Sequence, residues 1–194
     1  MKLPIIIIGP MCSGKSTIAK LLSEKLSIPH YPLDYLRGYY YLKNGIDIDR
    51  HENLREGDDF QKYVSYIRPY EIDAVEKVLK EPEFQKGIIH FGAGHSFYDN
   101  NDLLIRAKNA LKDIANVILL MPSENIPESL EILNKRLIDR EKKDNVNEKK
   151  LQSMIQVNRI FAEAKSNFEL AKIIIYTKDK EPEVVADEIV SKLK

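Results

Sequence analysis

The sequence predicts an α/β fold in which a five-stranded parallel sheet carries helices on both faces. Three observations support this expectation. Apolar runs of strand length recur at residues 5–8, 28–33, 88–91, 117–120 and 173–176. Between them lie stretches whose apolar residues fall three and four apart, the spacing of an amphipathic helix. The first run also leads directly into Gly9-Pro10-Met11-Cys12-Ser13-Gly14-Lys15-Ser16-Thr17, which fits G-x-x-x-x-G-K-[ST] between a strand and a helix. Strands alternating with helices in this way build a parallel sheet buried on both sides.

Each element has its own justification. The helix after the loop places Ile18, Leu21, Leu22 and Leu26 on one stripe and ends before Pro29. The strand at 28–33 is the weakest of the five, and an excursion at about 35–80 follows it. There a helix over 59–80 keeps Tyr63, Ile67, Tyr70, Ala74, Val75 and Val78 in phase, interrupted or kinked at Pro69. Helices are expected over 103–114 and over 124–140, the latter through Leu130, Leu133 and Leu137. The lysine-rich stretch 141–150 is too polar for a core. A helix at 148–170 leads to the last strand, and one at 183–193 begins after Pro182.

Composition narrows the function classes. A chain of 194 residues with 43% hydrophobic content is expected to form one domain over 1–194, as a monomer or homodimer. Its 30 basic and 30 acidic residues cancel, so no global field draws nucleic acid or an anionic membrane. The first apolar run is too short for a signal sequence or a membrane span. Cys12 is the sole cysteine, which excludes internal disulfides and makes a cytoplasmic location the expectation.

The loop of residues 9–17 carries the chemistry. A strand that turns tightly into a helix aims main-chain N–H groups and the positive helix end at one point, which suits a triphosphate. Gly9 and Gly14 let the backbone approach the phosphates, and Lys15 reaches the β- and γ-oxygens. Ser16 is placed to offer its hydroxyl to Mg²⁺, with Thr17 beside it in the first helical turn. Cys12 stands where related loops often carry glycine, so either its φ is ordinary or the loop tolerates strain. Near Lys15 and a helix N-terminus its thiol is expected to ionise more easily than a free cysteine, with bound nucleotide shielding it. His90 and His95 lack the spacing of a zinc pair, though His95 follows a glycine turn closely enough to touch a substrate.

Residues 6–26, with Ile-Ile-Ile-Gly-Pro-Met-Cys-Ser-Gly-Lys-Ser-Thr-Ile-Ala-Lys-Leu-Leu-Ser-Glu-Lys-Leu, resemble the opening of the shikimate kinase group of P-loop small-metabolite and nucleoside kinases. Thinner matches follow in order: Arg68-Pro-Tyr-Glu71, Gly92-Ala93-Gly94, the arginines from Arg136 to Arg140, and the run from Leu170 to Thr177. The resemblance implies a strand order of 2-3-1-4-5, ATP with Mg²⁺, and a small-molecule acceptor. It assigns Asp34 to the acceptor hydroxyl, Arg68 to an anionic substrate, and Gly92, Ala93 and Gly94 to the substrate-side turn. Arg136 and Arg140, four apart on one helix face, fall where that family keeps its lid, here about 136–150. Asp34 also suits a helix N-cap, Arg68 a solvated helix charge, the glycines a plain turn, and the two arginines salt bridges with Glu131, Asp139 or Glu141.

The chain also departs from the pattern. The family's Asp-x-Asp pair here reads Pro32-Leu33-Asp34, so the carboxylate on the metal side is missing. The late substrate arginine has no clean counterpart: Arg159 lies a turn too early and Glu163 holds the aligned position. Tyr39, Tyr40 and Tyr41 either line an altered acceptor pocket or pack. These departures point to a kinase whose acceptor is not shikimate, with Lys15, Asp34, Arg136 and Arg140 carrying the transfer. A nucleoside or nucleotide kinase is the alternative within enzymes. A nucleotide-binding regulatory protein without phosphotransfer is the alternative outside them.

Overall fold

Four consecutive isoleucines form β1 (Ile5–Ile8), each fully buried, and only a strand covered on both faces sustains such a run. The computed structural model describes residues 1–194 and sets β1 at the centre of a five-stranded sheet. β2 (His30–Pro32), β3 (Ile88–His90), β4 (Asn116–Met121) and β5 (Ile173–Tyr176) complete it in the order 2-3-1-4-5, every pair parallel. Ile6 faces Ile89 on one side and Val117 on the other. This is the order that the resemblance implied.

Nine helices surround the sheet: α1 (Lys15–Leu26), α2 (Leu33–Lys43), α3 (Ile48–Glu56), α4 (Phe60–Val78), α5 (Asn101–Leu111), α6 (Ile126–Lys143), α7 (Glu148–Glu163), α8 (Lys165–Leu170) and α9 (Pro182–Lys192). Successive side chains of a strand point to opposite faces. Ile5 and Ile7 therefore pack with Ile18 and Leu22 of α1 and Val185 and Ile189 of α9. Ile6 and Ile8 join the larger core with Ile67 and Val75 of α4, Ala107 of α5 and Phe161 of α7. No helix is long and apolar enough to cross a membrane.

The excursion after β2 folds into three helices, of which the sequence pattern shows only the third. α3 buries none of its residues, so it has no apolar stripe to read. It is held by its cap, where Asp47 accepts from the Arg50 amide at 2.9 Å. Pro69 lies inside an unbroken α4. A proline removes one helical hydrogen bond, but Ile67, Ile72 and Val75 are buried to either side of it and outweigh the loss. The helix expected over 148–170 divides at Ala164, whose ψ of 116° is extended, into α7 and α8. Within the polar stretch 141–150, α6 runs on to Lys143, and α7 starts at Glu148, as expected, under an Asn147 cap. Glu141, within that stretch, is buried.

Gly9 joins β1 to the loop with φ of 144°, and a Cβ there would lie 2.6 Å from the Leu120 carbonyl oxygen. Gly9→Ala therefore combines backbone strain with a clash against main chain that cannot yield. We expect it to lower unfolding free energy by about 3 kcal/mol in chemical denaturation, with a normal midpoint arguing against this packing.

Candidate active site

Beyond Gly9 the loop turns again at Gly14, with φ of 98°, and Cys12 adopts φ of 60° between them. Of the two expectations for Cys12, the structure follows the one in which the loop tolerates a left-handed non-glycine residue. Its thiol departs from expectation: burial pushes it up, and the nearby Arg140 and Lys15 charges do not overcome that. Lys15 is only 9% exposed, and its ammonium donates to the carbonyl oxygens of Gly9 at 2.9 Å and Pro10 at 2.8 Å. Burial pulls this ammonium down to about 8, against an opposing pull from Asp34. The Ser13 hydroxyl is buried without a partner, and Ser16 and Thr17 are exposed in the first turn of α1.

A contact from α7 secures the loop from the side. The Asn158 side chain accepts from the Met11 amide at 2.8 Å and donates to the Met11 carbonyl at 3.3 Å. Asn158 itself is fully buried.

The loop forms one wall of a cleft of about 460 Å³, and Asp34, His90, Ala93, Arg136, Arg140 and Thr177 contribute to the others. Asp34 sits in the first turn of α2, but the cap position is Pro32, so Asp34 is not its N-cap. Its carboxylate, 45% exposed, opens on the cleft while Arg37 of the same helix pairs with it at 3.0 Å. Burial alone would raise Asp34, yet the fields of His95, Arg37 and Lys15 prevail and hold it below the usual carboxylate range. The same guanidinium lies 4.0 Å from Glu71, a buried residue of α4. Burial pushes Glu71 up to about 7, with Arg37 opposing.

The glycines after β3 make room for these carboxylates. A Cβ at Gly92 would fall on the Asp34 carboxylate and lie 2.8 Å from His95 Nδ1, and one at Gly94 would fall on Glu71. His95 is fully buried, neither ring nitrogen has a partner, and burial lowers it to about 4. Two contacts pin this turn at 2.8 Å each: the Tyr98 hydroxyl donates to the His95 carbonyl, and the Ser166 hydroxyl to that of Ser96.

Arg136 and Arg140 reach the cleft from the last turns of α6. Arg136 donates to the Cys12 carbonyl at 3.4 Å, and Arg140 pairs with Glu141 at 2.6 Å. Arg68 does not line this cleft. Only 17% exposed, it pairs with Asp99, lies 4.6 Å from the centre of the Phe97 ring, and borders a separate cavity of about 110 Å³. It is therefore not the solvated helix charge that its pattern also allowed. Arg159 pairs with Glu163 at 2.9 Å on the exposed side of α7. Tyr40 and Tyr41 pack in the core, while Tyr39 is exposed with the Lys43 ammonium 4.3 Å over its ring. Sequence reasoning missed Arg37 and Asn158. The three-residue spacing from Asp34 was the available signal for Arg37; none marked Asn158.

A phosphate-cradling loop at the carboxyl edge of β1, with a carboxylate and two arginines around the same cleft, defines the chain as a P-loop phosphotransferase. The family model for shikimate kinase matches residues 11–194. The chain belongs to the shikimate kinase family. A shikimate kinase from Sulfurihydrogenibium sp. (strain YO3AOP1) is 28% identical over 191 residues, spanning 98% of this chain and 97% of that one. Shikimate kinase from Acinetobacter baumannii, solved in complex with shikimate, superimposes with a TM-score of 0.60 at 18% identity, covering 98% of this chain and 94% of the other. Deoxyadenosine kinase from M. mycoides with bound dATP gives 0.54 at 16%, covering 98% of each. At such identities these two structures share the fold.

The lowered ammonium of Lys15 has a measurable consequence. A triphosphate beside it favours the charged form, so binding at a pH above its free value must take up a proton. Calorimetric titration of ATP in buffers of different ionisation enthalpy should show net proton uptake at about pH 8.5 and little at about pH 7. Equal proton uptake at both values would contradict the assignment.

Proposed function

We propose that this chain transfers the γ-phosphoryl group of ATP to a hydroxyl of a small acceptor other than shikimate. The observation that supports this reading above others is the sharing of one cleft by the Lys15 loop and the solvent-facing carboxylate of Asp34. The loop fits a nucleotide tail: the Ser13 hydroxyl lacks a partner, and Lys15 satisfies its donors on carbonyls that it can leave. Ser16 is the residue to hold Mg²⁺, which would supply charge neutralisation on the phosphates.

In this reading Asp34 orients the acceptor. A carboxylate held below its ordinary range is a weak base, better suited to receiving a hydrogen bond than to stripping a proton in the ground state. As the acceptor oxygen bonds to phosphorus and the bond to the β-phosphate oxygen breaks, the hydroxyl becomes acidic and its proton passes to Asp34. Lys15, Arg136 and Arg140 face the charge that builds on the transferring group and on departing ADP. The absence of the metal-side carboxylate at Pro32 and the commitment of Arg68 to Asp99 support an acceptor that differs from shikimate.

Acceptor-dependent ADP formation, with mass identification of the product, tests the reading. Lys15→Met should lower turnover by about 100-fold or more, with the unfolding midpoint retained. Asp34→Asn should lower kcat by at least about 100-fold while leaving ATP affinity within about threefold. Turnover of shikimate at rates matching any other acceptor, or near-normal activity in either variant, would overturn it.

A further inference from the structure

The charges around the acceptor end of the cleft are already paired within the protein. On α2, Asp34 holds Arg37 at 3.0 Å, and the same guanidinium lies 4.0 Å from Glu71 on α4. Outside the cleft, Arg68 on α4 is committed to Asp99, and Arg159 on α7 to Glu163. Arg140 on α6 is paired with Glu141. The two cleft cations without a carboxylate partner, Lys15 and Arg136, both touch carbonyls of the phosphate loop and so belong to the nucleotide end. His90 and His95, lowered by burial to about 4, are uncharged at neutral pH. The acceptor end therefore presents the Asp34 carboxylate and the neutral His90 ring, with Glu71 and His95 buried behind them and Arg37 already paired.

Behind Asp34 lie polar atoms with nothing to bond. Glu71 Oε2, both ring nitrogens of His95 and the Tyr41 hydroxyl are all buried and unpartnered. Such groups normally find partners, and a cluster of orphans beside a cleft marks a place for a ligand's own polar atoms. Arg37 is 28% exposed and stands between the two carboxylates. Hydroxyl groups match this inventory because each donates to a carboxylate and accepts from a ring or phenol proton. A carboxylate or phosphate on the acceptor would instead meet the like charge of Asp34 and would have to take Arg37 from its carboxylate partners.

We infer that the acceptor is an uncharged polyhydroxylated molecule, of the sugar, cyclitol or nucleoside-ribose kind, whose hydroxyls are held by Asp34 and Glu71 with Arg37 as their internal counter-ion. The inference rests on the kinase reading and narrows it. It sets this site apart from one built to hold a hydroxylated acid.

The test separates acceptors by charge before identifying any. A metabolite extract is resolved by ion exchange into uncharged, cationic and anionic pools. These are assayed with ATP for acceptor-dependent ADP release, beside myo-inositol, ribose, adenosine, glucosamine, shikimate and gluconate as defined members. We expect release from the uncharged pool alone, and a phosphorylated product from it. Release chiefly from the anionic or cationic pool would overturn the inference and leave the kinase reading standing. Release from no pool, with ATP binding demonstrated by calorimetry, would overturn both. Within the active pool, Glu71→Gln should raise acceptor KM roughly tenfold with ATP KM unchanged, whereas a merely structural role would alter both. Should this variant fail to fold, the pools alone decide the question.

Discussion

A buried ammonium group resting on two main-chain carbonyls sets the terms for everything at the mouth of this sheet. Taking Lys15 out of water is costly, which pulls its ammonium down, and the loop offsets that cost by turning the oxygens of Gly9 and Pro10 inward. Such a turn requires backbone angles that most residues avoid, at Gly9, Cys12 and Gly14. Those angles are affordable because β1 beneath them is fully buried between two other strands. The strained segment is thus carried by a fully buried central strand, and the stored charge is available to an incoming phosphate.

The two ends of the cleft are built on opposite electrostatic plans. At the loop, cations rest provisionally on carbonyls, and a polyanion can take them over. At α2 and α4, carboxylates and a guanidinium neutralise one another, and the glycine turn after β3 is shaped around those side chains. Asp34 belongs to both ends, since Lys15 and Arg37 each bear on its ionisation. A single carboxylate placed there can join the two substrates of a transfer reaction without contributing to the binding of the nucleotide tail itself.

Much of this was legible in the sequence where one physical signal dominated. The isoleucine run, the loop spacing and the stripe of Ile18 and Leu22 each have one reading, because burial on both faces and burial on one face leave different periods. α3 was not legible because its stability comes from a cap and from neighbours, with nothing buried to leave a pattern. Pro69 misled because tertiary packing along α4 overrides a local penalty. At the site, Lys15, Asp34, Arg136 and Arg140 share a cleft. Arg68 is turned elsewhere because Asp99 and Phe97, brought beside it by the chain after β3, provide a better partner and surface than its own helix reveals. The long-range grip of Asn158 on Met11 leaves no local trace at all, since 147 residues separate the two.

That grip also alters how the loop's capacity should be counted. The Met11 amide is spent on the Asn158 carboxamide, and Pro10 has no amide to give, so neither residue can donate toward a bound anion while α7 stays docked. Any displacement of α7 would free a donor at the same moment that it loosened the loop, linking the stiffness of the cradle to the seating of a helix distant in sequence.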